Sequence, residues 1–184
     1  MHPLENTDNA DELDKVAQKV RLEIRSPAEC TPRELQKFAE LVNEGGEVDP
    51  DFLRQRIMKA EFLAFYYIGD SIVAVGALKR PNPRHRWTVF AKAESEDNPK
   101  NYPFEIGWLY TAKDARGKGI ARKVAEGLVE SAADNKIFVT TRSDNLPIHK
   151  LFEKSGFKQS GNAYPSERGE YSLVLYIRGD DATA

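Results

Sequence analysis

The chain has 184 residues, 40 % hydrophobic and 30 % charged, and its 27 basic and 29 acidic side chains leave a net charge of −2. That size and balance suit one soluble globular domain; they argue against a duplex-binding module, which shows a basic excess, and no apolar run approaches the roughly 18 residues of a membrane span. The only cysteine, Cys30, cannot close an internal disulfide, and the first 30 residues hold no apolar block behind a basic start, so the expected setting is a reducing cytoplasm.

Residues 1–18 are largely polar and are expected to form a flexible arm, residues 19–178 a single α/β unit and residues 179–184 a short tail. Val20, Leu22 and Ile24 alternate with charged residues, which predicts a half-buried strand. Thr31, Pro32 and Glu34 carry the chemistry of a capped helix start; Leu35, Phe38, Ala39 and Val42 continue a helical stripe that Gly45-Gly46 stops. A second short helix is expected within "PDFLRQRIMKA". Two β-rich runs flank Gly69-Asp70, with glycine first as a type II′ hairpin turn prefers. Residues 80–102 have loop chemistry, with an extra strand expected at "WTVFAKA".

"FEIGWLYT", residues 104–111, reads as a strand, and Gly107 inside it suggests a bulge. Ile120, Ala121, Val124, Ala125, Leu128 and Val129 form the apolar stripe of a helix, and "KIFVTT" is a buried strand. Residues 145–155 predict a short helix with Ile148, Leu151 and Phe152 on one face; Gly156 suits its left-handed end and lets Phe157 fold back on Phe152. "EYSLVLYIR" closes the chain as a strand.

The stretch "DARGKGIARKV", residues 114–124, joins a strand to a helix through two glycines within a run of cations. A helix starting near Gly117 leaves several N–H groups unpaired and adds partial positive charge from its dipole. Gly117 and Gly119 remove the Cβ atoms that would keep an anion from the backbone, and Lys113, Arg116, Lys118, Arg122 and Lys123 raise the local potential. A phosphate or pyrophosphate fits; a basic helix start that binds nothing is the alternative. The Walker and dinucleotide patterns both fail here, since Gly-Lys-Gly replaces Gly-Lys-Ser/Thr and the third glycine is missing.

"RGKGIA" matches the Arg/Gln-x-x-Gly-x-Gly/Ala signature at Arg116, Gly119 and Ala121, and "NLPIHKLFEKSGF" matches a second signature at Asn145, Ile148, Leu151, Phe152, Gly156 and Phe157. With both motifs in this order, the chain resembles the Gcn5-related N-acetyltransferases (GNAT), specifically over residues 60–178 and topologically before them. The resemblance implies a mixed, mostly antiparallel sheet of about six or seven strands flanked by about four helices, with strands 104–111 and 136–141 splayed apart. It implies acetyl-CoA as cofactor, its pyrophosphate on the N–H groups of Arg116, Gly117, Lys118, Gly119, Ile120 and Ala121. The pantetheine would lie between the splayed strands, along Leu109, Tyr110 and Thr111. Asn145 would bond the pantetheine or order the adjoining helix, a plain helix cap being its alternative. Leu151 and Phe152 would touch the cofactor, pack in the core, or do both.

Acetyl transfer to an amine needs a neutral nucleophile, stabilised charge on the thioester oxygen, and departure of sulfur. The resemblance implies that N–H groups freed near Gly107 to Leu109 serve the second need. Glu105 is the candidate base, at the place where some members carry a glutamate; a solvated surface residue is the alternative. Tyr110, on the opposite face by alternation, is a second catalytic candidate, with packing as its alternative. Phe152 stands where many members carry a tyrosine acid for the leaving thiolate, and water, Ser143 or Tyr164 is left to replace it.

"KR" at 79–80 and "RHR" at 84–86 invite an acidic-substrate reading beside that of a solvated basic loop, and Arg142 is a candidate for a substrate carboxylate. His85 and His149 are either acid/base groups or surface histidines. Three scattered histidines and one cysteine lack metal-ligand spacing, so no metal is expected. The expected function is acetyl-CoA-dependent N-acetylation of a primary amine, on a small molecule or a protein, by direct attack. The alternative is a non-catalytic acyl-CoA-binding or sensing domain of the same fold. No nucleic-acid or membrane partner is expected, and the chain is expected to be a monomer or homodimer.

Overall fold

The computed structural model of the chain describes residues 19–46 and 48–179; the expected arm, 1–18, and residues 180–184 of the expected tail lie outside the described residues. Strand β1 (Val20–Arg25) is followed by helices α1 (Pro32–Glu44) and α2 (Leu53–Ile57), then by a hairpin of β2 (Phe62–Ile68) and β3 (Ser71–Lys79). Helix α3 (Pro83–Lys92), strand β4 (Phe104–Thr111), helix α4 (Ile120–Ser131), strand β5 (Ile137–Arg142) and helix α5 (Leu146–Lys154) come next. Two-residue strands β6 (Lys158–Gln159) and β7 (Tyr164–Pro165) precede the closing strand β8 (Ser172–Arg178).

Local chemistry sets several of these boundaries. Thr31 Oγ1 accepts the Glu34 N–H at 3.3 Å while the Glu34 carboxylate accepts the Thr31 N–H at 2.8 Å, so the capping box forms as its residues require. That carboxylate also accepts from Arg25 at 2.6 Å and from the Tyr67 hydroxyl at 2.8 Å, tying α1 to β1 and β2. Burial pushes the Glu34 carboxyl up, but the Arg25, Thr31 and Tyr67 hydrogen bonds outweigh it and hold the group at about 2.

The strand expected at "WTVFAKA" is instead helix α3. Asn82 caps it, accepting the Arg84 N–H at 2.9 Å, and Pro83 occupies its first turn. Val89, Phe90 and Ala93 then share one buried face, with the Phe90 ring 5.3 Å from Tyr102 and 5.4 Å from Phe138. Helical burial of that face overrides the β preference of the Trp-Thr-Val-Phe run.

Among the described residues the strands form one sheet in the order β1-β2-β3-β4-β5-β8-β6, with β7 also paired to β8, eight strands in all. Every pairing is antiparallel except β4 with β5. Helices α4 and α5 cover one face through a core that includes Ile106, Leu128, Val139 and Phe152. The other face carries α1 and α2, packed on Phe65, Val75 and Ala77, and farther along α3, packed on Phe138, Leu175 and Ile177. Among the described residues, no helix is long and apolar enough to cross a membrane.

Candidate active site

The parallel pair β4 and β5 holds together only at Phe104–Ile137 and Glu105–Phe138. Past Glu105 the edge of β4 has no partner in β5, so a fork opens there. Both strands point their C-terminal ends the same way, and each runs into a helix, α4 or α5. The positive ends of two helix dipoles therefore border the open end of one fork.

On its other edge β4 carries the expected bulge. Ala77 pairs with Gly107 and Val75 with Tyr110, so one residue of β3, Gly76, faces two of β4, Trp108 and Leu109. The left-handed residue is Trp108, with φ +54°, rather than Gly107. The extra residue resets the alternation, because side chains have period two along a strand. Tyr110 consequently shares the α1 side of the sheet with Trp108, packing with Phe38, Val75 and Ala77. Lys79 reaches both Trp108 and Glu105, so Glu105 lies on that side too. The expectation that Tyr110 points away from Glu105 is thus corrected: the bulge puts both on one face. The Tyr110 hydroxyl donates to Glu44 at the end of α1 at 2.8 Å, and Leu109 points the other way, toward α4.

Glu105 is 5 % exposed, not a solvated strand residue. Its Oε1 lies 2.9 Å from Lys79 Nζ and its Oε2 3.2 Å from His85 Nε2. Burial pushes the carboxyl up, but the Lys79 charge, then the His85 hydrogen bond and charge, outweigh it and hold Glu105 at about 2. Two of the basic side chains are engaged within the protein: Arg80 pairs with Glu61, and Arg86 donates to the Tyr102 carbonyl at 3.1 Å. Arg142 pairs with Asp144 at 2.8 Å and lies 4.3 Å from the Tyr171 ring. Tyr164, on β7, is buried, and its phenol is pushed up to about 12 by burial and by the Glu105 charge. His149 Nε2 is engaged by the Arg142 carbonyl at 2.8 Å. Burial also pushes the Cys30 thiol up, away from the thiolate a nucleophile needs.

The glycine loop begins at the end of β4. Arg116 Nε donates to the Thr111 carbonyl at 3.0 Å, with its guanidinium 5.4 Å from the Tyr110 ring, and this closes the turn. Gly117 and Gly119 have φ +77° and +71°, so α4 starts at Ile120, three residues later than Gly117. A Cβ at either glycine would meet nothing within 4 Å; what demands glycine here is the left-handed backbone. Residues 116–119 are exposed while Ile120 is buried and anchors the helix. Among the described residues, no protein acceptor engages the N–H groups of Gly117 through Arg122. Lys118 makes no ion pair there, whereas Arg122 pairs with Glu126 at 2.6 Å and Lys123 reaches the Tyr66 hydroxyl at 3.5 Å. Unpaired amides with a cation beside them suit a diphosphate.

Across the fork, exposed Asn145 holds the N-cap position of α5, yet its side chain makes no capping hydrogen bond. Its polar atoms are available to a ligand. Leu151 is half-buried, and Phe152, 1 % exposed, packs 5.1 Å from Phe157 and 6.4 Å from Tyr176. Phe152 therefore belongs to the core that holds α5 against the sheet. The pairing of Lys79 and His85 with Glu105 joins three separate elements; only knowledge that β3 and β4 pair Lys79 with Glu105 would have revealed its first half from sequence.

Residues 31–157, more than half of the chain, match the profile of the Acetyltransferase (GNAT) family, and the chain belongs to that family. Solved structures share the fold. An acyl-CoA N-acyltransferase from Pseudomonas aeruginosa matches with a TM-score of 0.63 at 13 % identity, covering 88 % of this chain and 100 % of that one. The ribosomal-protein-alanine N-acetyltransferase of Brucella melitensis matches at 0.63 and 17 % identity, covering 86 % and 99 %. A Bacillus subtilis acetyltransferase solved in complex with CoA matches at 0.58 and 16 % identity, covering 88 % and 99 %. Among curated protein sequences there is no match.

Proposed function

We propose that the chain is an acetyl-CoA-dependent N-acetyltransferase acting on a primary amine of a small molecule or a protein. The observation that carries this is the fork itself: parallel strands parting just past a buried carboxylate, with unpartnered loop amides at one prong and an unengaged asparagine at the other. CoA in the Bacillus subtilis structure of the same fold supports the choice of carrier.

Acetyl-CoA supplies an activated thioester. The amides of residues 117–121 and the Lys118 charge would hold its diphosphate, the expected Arg116 amide being taken by the Lys113 carbonyl at 3.3 Å, with Leu109, Tyr110 and Thr111 lining the pantetheine arm and Asn145 bonding it from the far prong. Leu151 borders that channel, and Phe152 fixes α5 from within the core. The bulge at Trp108 and Leu109 is suited to aim backbone N–H groups at the thioester oxygen. Glu105 would place a negative charge beside the incoming amine, and Tyr110 would line the acceptor side beside Trp108. Phenylalanine at 152 leaves no tyrosine acid at that place, and a leaving thiolate whose thiol pKa is near ~8.5 would not require one.

The test is thiol release measured against a broad panel of amines, with thermal shift recorded in parallel. We expect acetyl-CoA to stabilise the fold and at least one amine class to drive thiol release above the rate of hydrolysis. Stabilisation with no acceptor-dependent release would favour the non-catalytic sensor instead.

A further inference from the structure

We propose that His85, delivered by α3, is the group that takes the proton from the acceptor amine, and that Glu105 acts through it as a positioning residue. This assignment rests on the acetyltransferase function proposed for the same site.

A general base works best when its pKa lies near the working pH. Glu105, held at about 2 by two cationic partners and enclosed to 5 % exposure, is neither basic enough nor open to an amine. Its ionised carboxylate can only accept hydrogen bonds, so at 3.2 Å His85 Nε2 must be the donor. In the neutral ring this contact assigns the proton to Nε2 and leaves the lone pair on Nδ1. Half of the His85 side chain is exposed, so the imidazole, unlike the Glu105 carboxylate, is open to solvent and to a substrate. Lys79 holds the other carboxylate oxygen at 2.9 Å and prevents Glu105 from swinging away.

The placement relative to the fork is equally specific. Glu105 is the last residue of β4 paired with β5, and the bulge begins two residues farther on. His85 therefore stands on the α1 side of the sheet within a few residues of where β4 opens. Its support is built rather than incidental. Ser160 Oγ bonds Asp97 at 2.6 Å, Ser95 Oγ lies 2.6 Å from Ser160 Oγ, and the Asn162 N–H donates to the Ala93 carbonyl at 2.6 Å. These contacts fasten the 80–102 segment to the turn between β6 and β7. Of the other candidates, His149 Nε2 is engaged by a carbonyl, and Tyr164, pushed up to about 12, keeps its proton.

In the transfer, an ammonium substrate first yields one proton to solvent. The neutral nitrogen then uses its lone pair to form the N–C bond, and the C–S bonding pair leaves on sulfur. The proton shed by nitrogen passes to Nδ1, where the Glu105 carboxylate balances the imidazolium, and it then passes to the thiolate. Amine and thioester become amide and thiol with no other reactant. Among the described residues, Glu105 on β4 contacts His85 and Lys79 on β3 contacts Glu105, Tyr164 on β7 feels the Glu105 charge, and Arg84 and Arg86 flank His85 on α3.

The experiment compares wild type, His85→Gln and His85→Ala, with kcat/KM calculated per neutral amine so that substrate ionisation drops out. Glutamine can still donate to Glu105 but cannot take a proton. We expect His85→Gln to lose about 100-fold in kcat/KM and to lose the acid limb of the profile. Acetyl-CoA affinity by calorimetry should stay within about two-fold, and added imidazole should restore part of the His85→Ala rate. A His85→Gln rate equal to wild type overturns the proposal, and so does a lower rate with the acid limb intact. Either result leaves the transferase function standing; only wild type that releases no thiol with any amine removes that function.

Discussion

Gly161→Ala should lower stability by about 3 kcal/mol, a fall of roughly 6–12 °C in Tm for a domain of this size. Gly161 has φ +72°, and a Cβ there would overlap the Ala93 carbonyl oxygen while lying 2.9 Å from its carbon and 3.0 Å from the Ser95 nitrogen. All three atoms are backbone, so no rotamer change relieves the overlap. The turn between β6 and β7 must move, and the Asn162–Ala93 hydrogen bond goes with it. Gly156 is the matched control: its φ is +82°, but the nearest atom to a Cβ is Arg178 Nε at 3.5 Å. Gly156→Ala should therefore cost only the left-handed strain, about 1 kcal/mol. Chemical denaturation of both variants separates close approach from backbone conformation. Equal losses would show that the turn does not clamp α3. Because α3 carries His85, Gly161→Ala should also depress acetyl transfer under conditions where it remains folded.

Lys79→Met should cost about 3 kcal/mol at neutral pH, because it strips a buried carboxylate of its principal counter-charge. The side chains of Lys79 and Glu105 are 19 % and 6 % exposed, so water cannot replace the missing partner. The sign of the pH dependence follows from Glu105. Its folded value, about 2, lies below its ordinary 4.5, so the pairing contributes stability above pH 4.5 and loses it as pH falls toward 2. Lys79→Met lacks most of that contribution. The gap between wild type and variant should thus be widest at neutral pH and shrink through that acid window. Adding Glu105→Gln to Lys79→Met should recover most of the loss. Urea unfolding at neutral and acid pH reads both effects; a gap independent of pH would assign the loss to packing instead.

Much of this architecture was legible because its signals are local. Thr31 and Glu34, Gly69-Asp70, and the Gly156–Phe157 end of α5 each lie within a few residues of the partners they need, and each forms as its chemistry dictates. The two-glycine loop was legible for the same reason, although Gly117 and Gly119 both turn left-handed and delay α4 to Ile120. Helix α3 was hidden because its buried face is only Val89, Phe90 and Ala93, while Trp87 to Phe90 is β-prone. Gly107 signals the bulge, but nothing local signals its parity: one extra residue at Trp108 carries Tyr110 across the sheet. The surroundings of Glu105 were the least legible of all. They depend on β3 register and on a helix 20 residues upstream, neither of which leaves a mark near residue 105.

The proposed function depends most on main-chain amides at the start of α4 gripping the diphosphate of an acyl carrier. Isothermal titration with acetyl-CoA and with S-acetylpantetheine, which has the same thioester but no diphosphate, tests this directly. Acetyl-CoA should bind about 100-fold more tightly, the worth of roughly two charge-assisted hydrogen bonds, and Gly119→Val should erase most of that difference. Equal affinity for the two carriers, or no heat with either on folded protein, would contradict it.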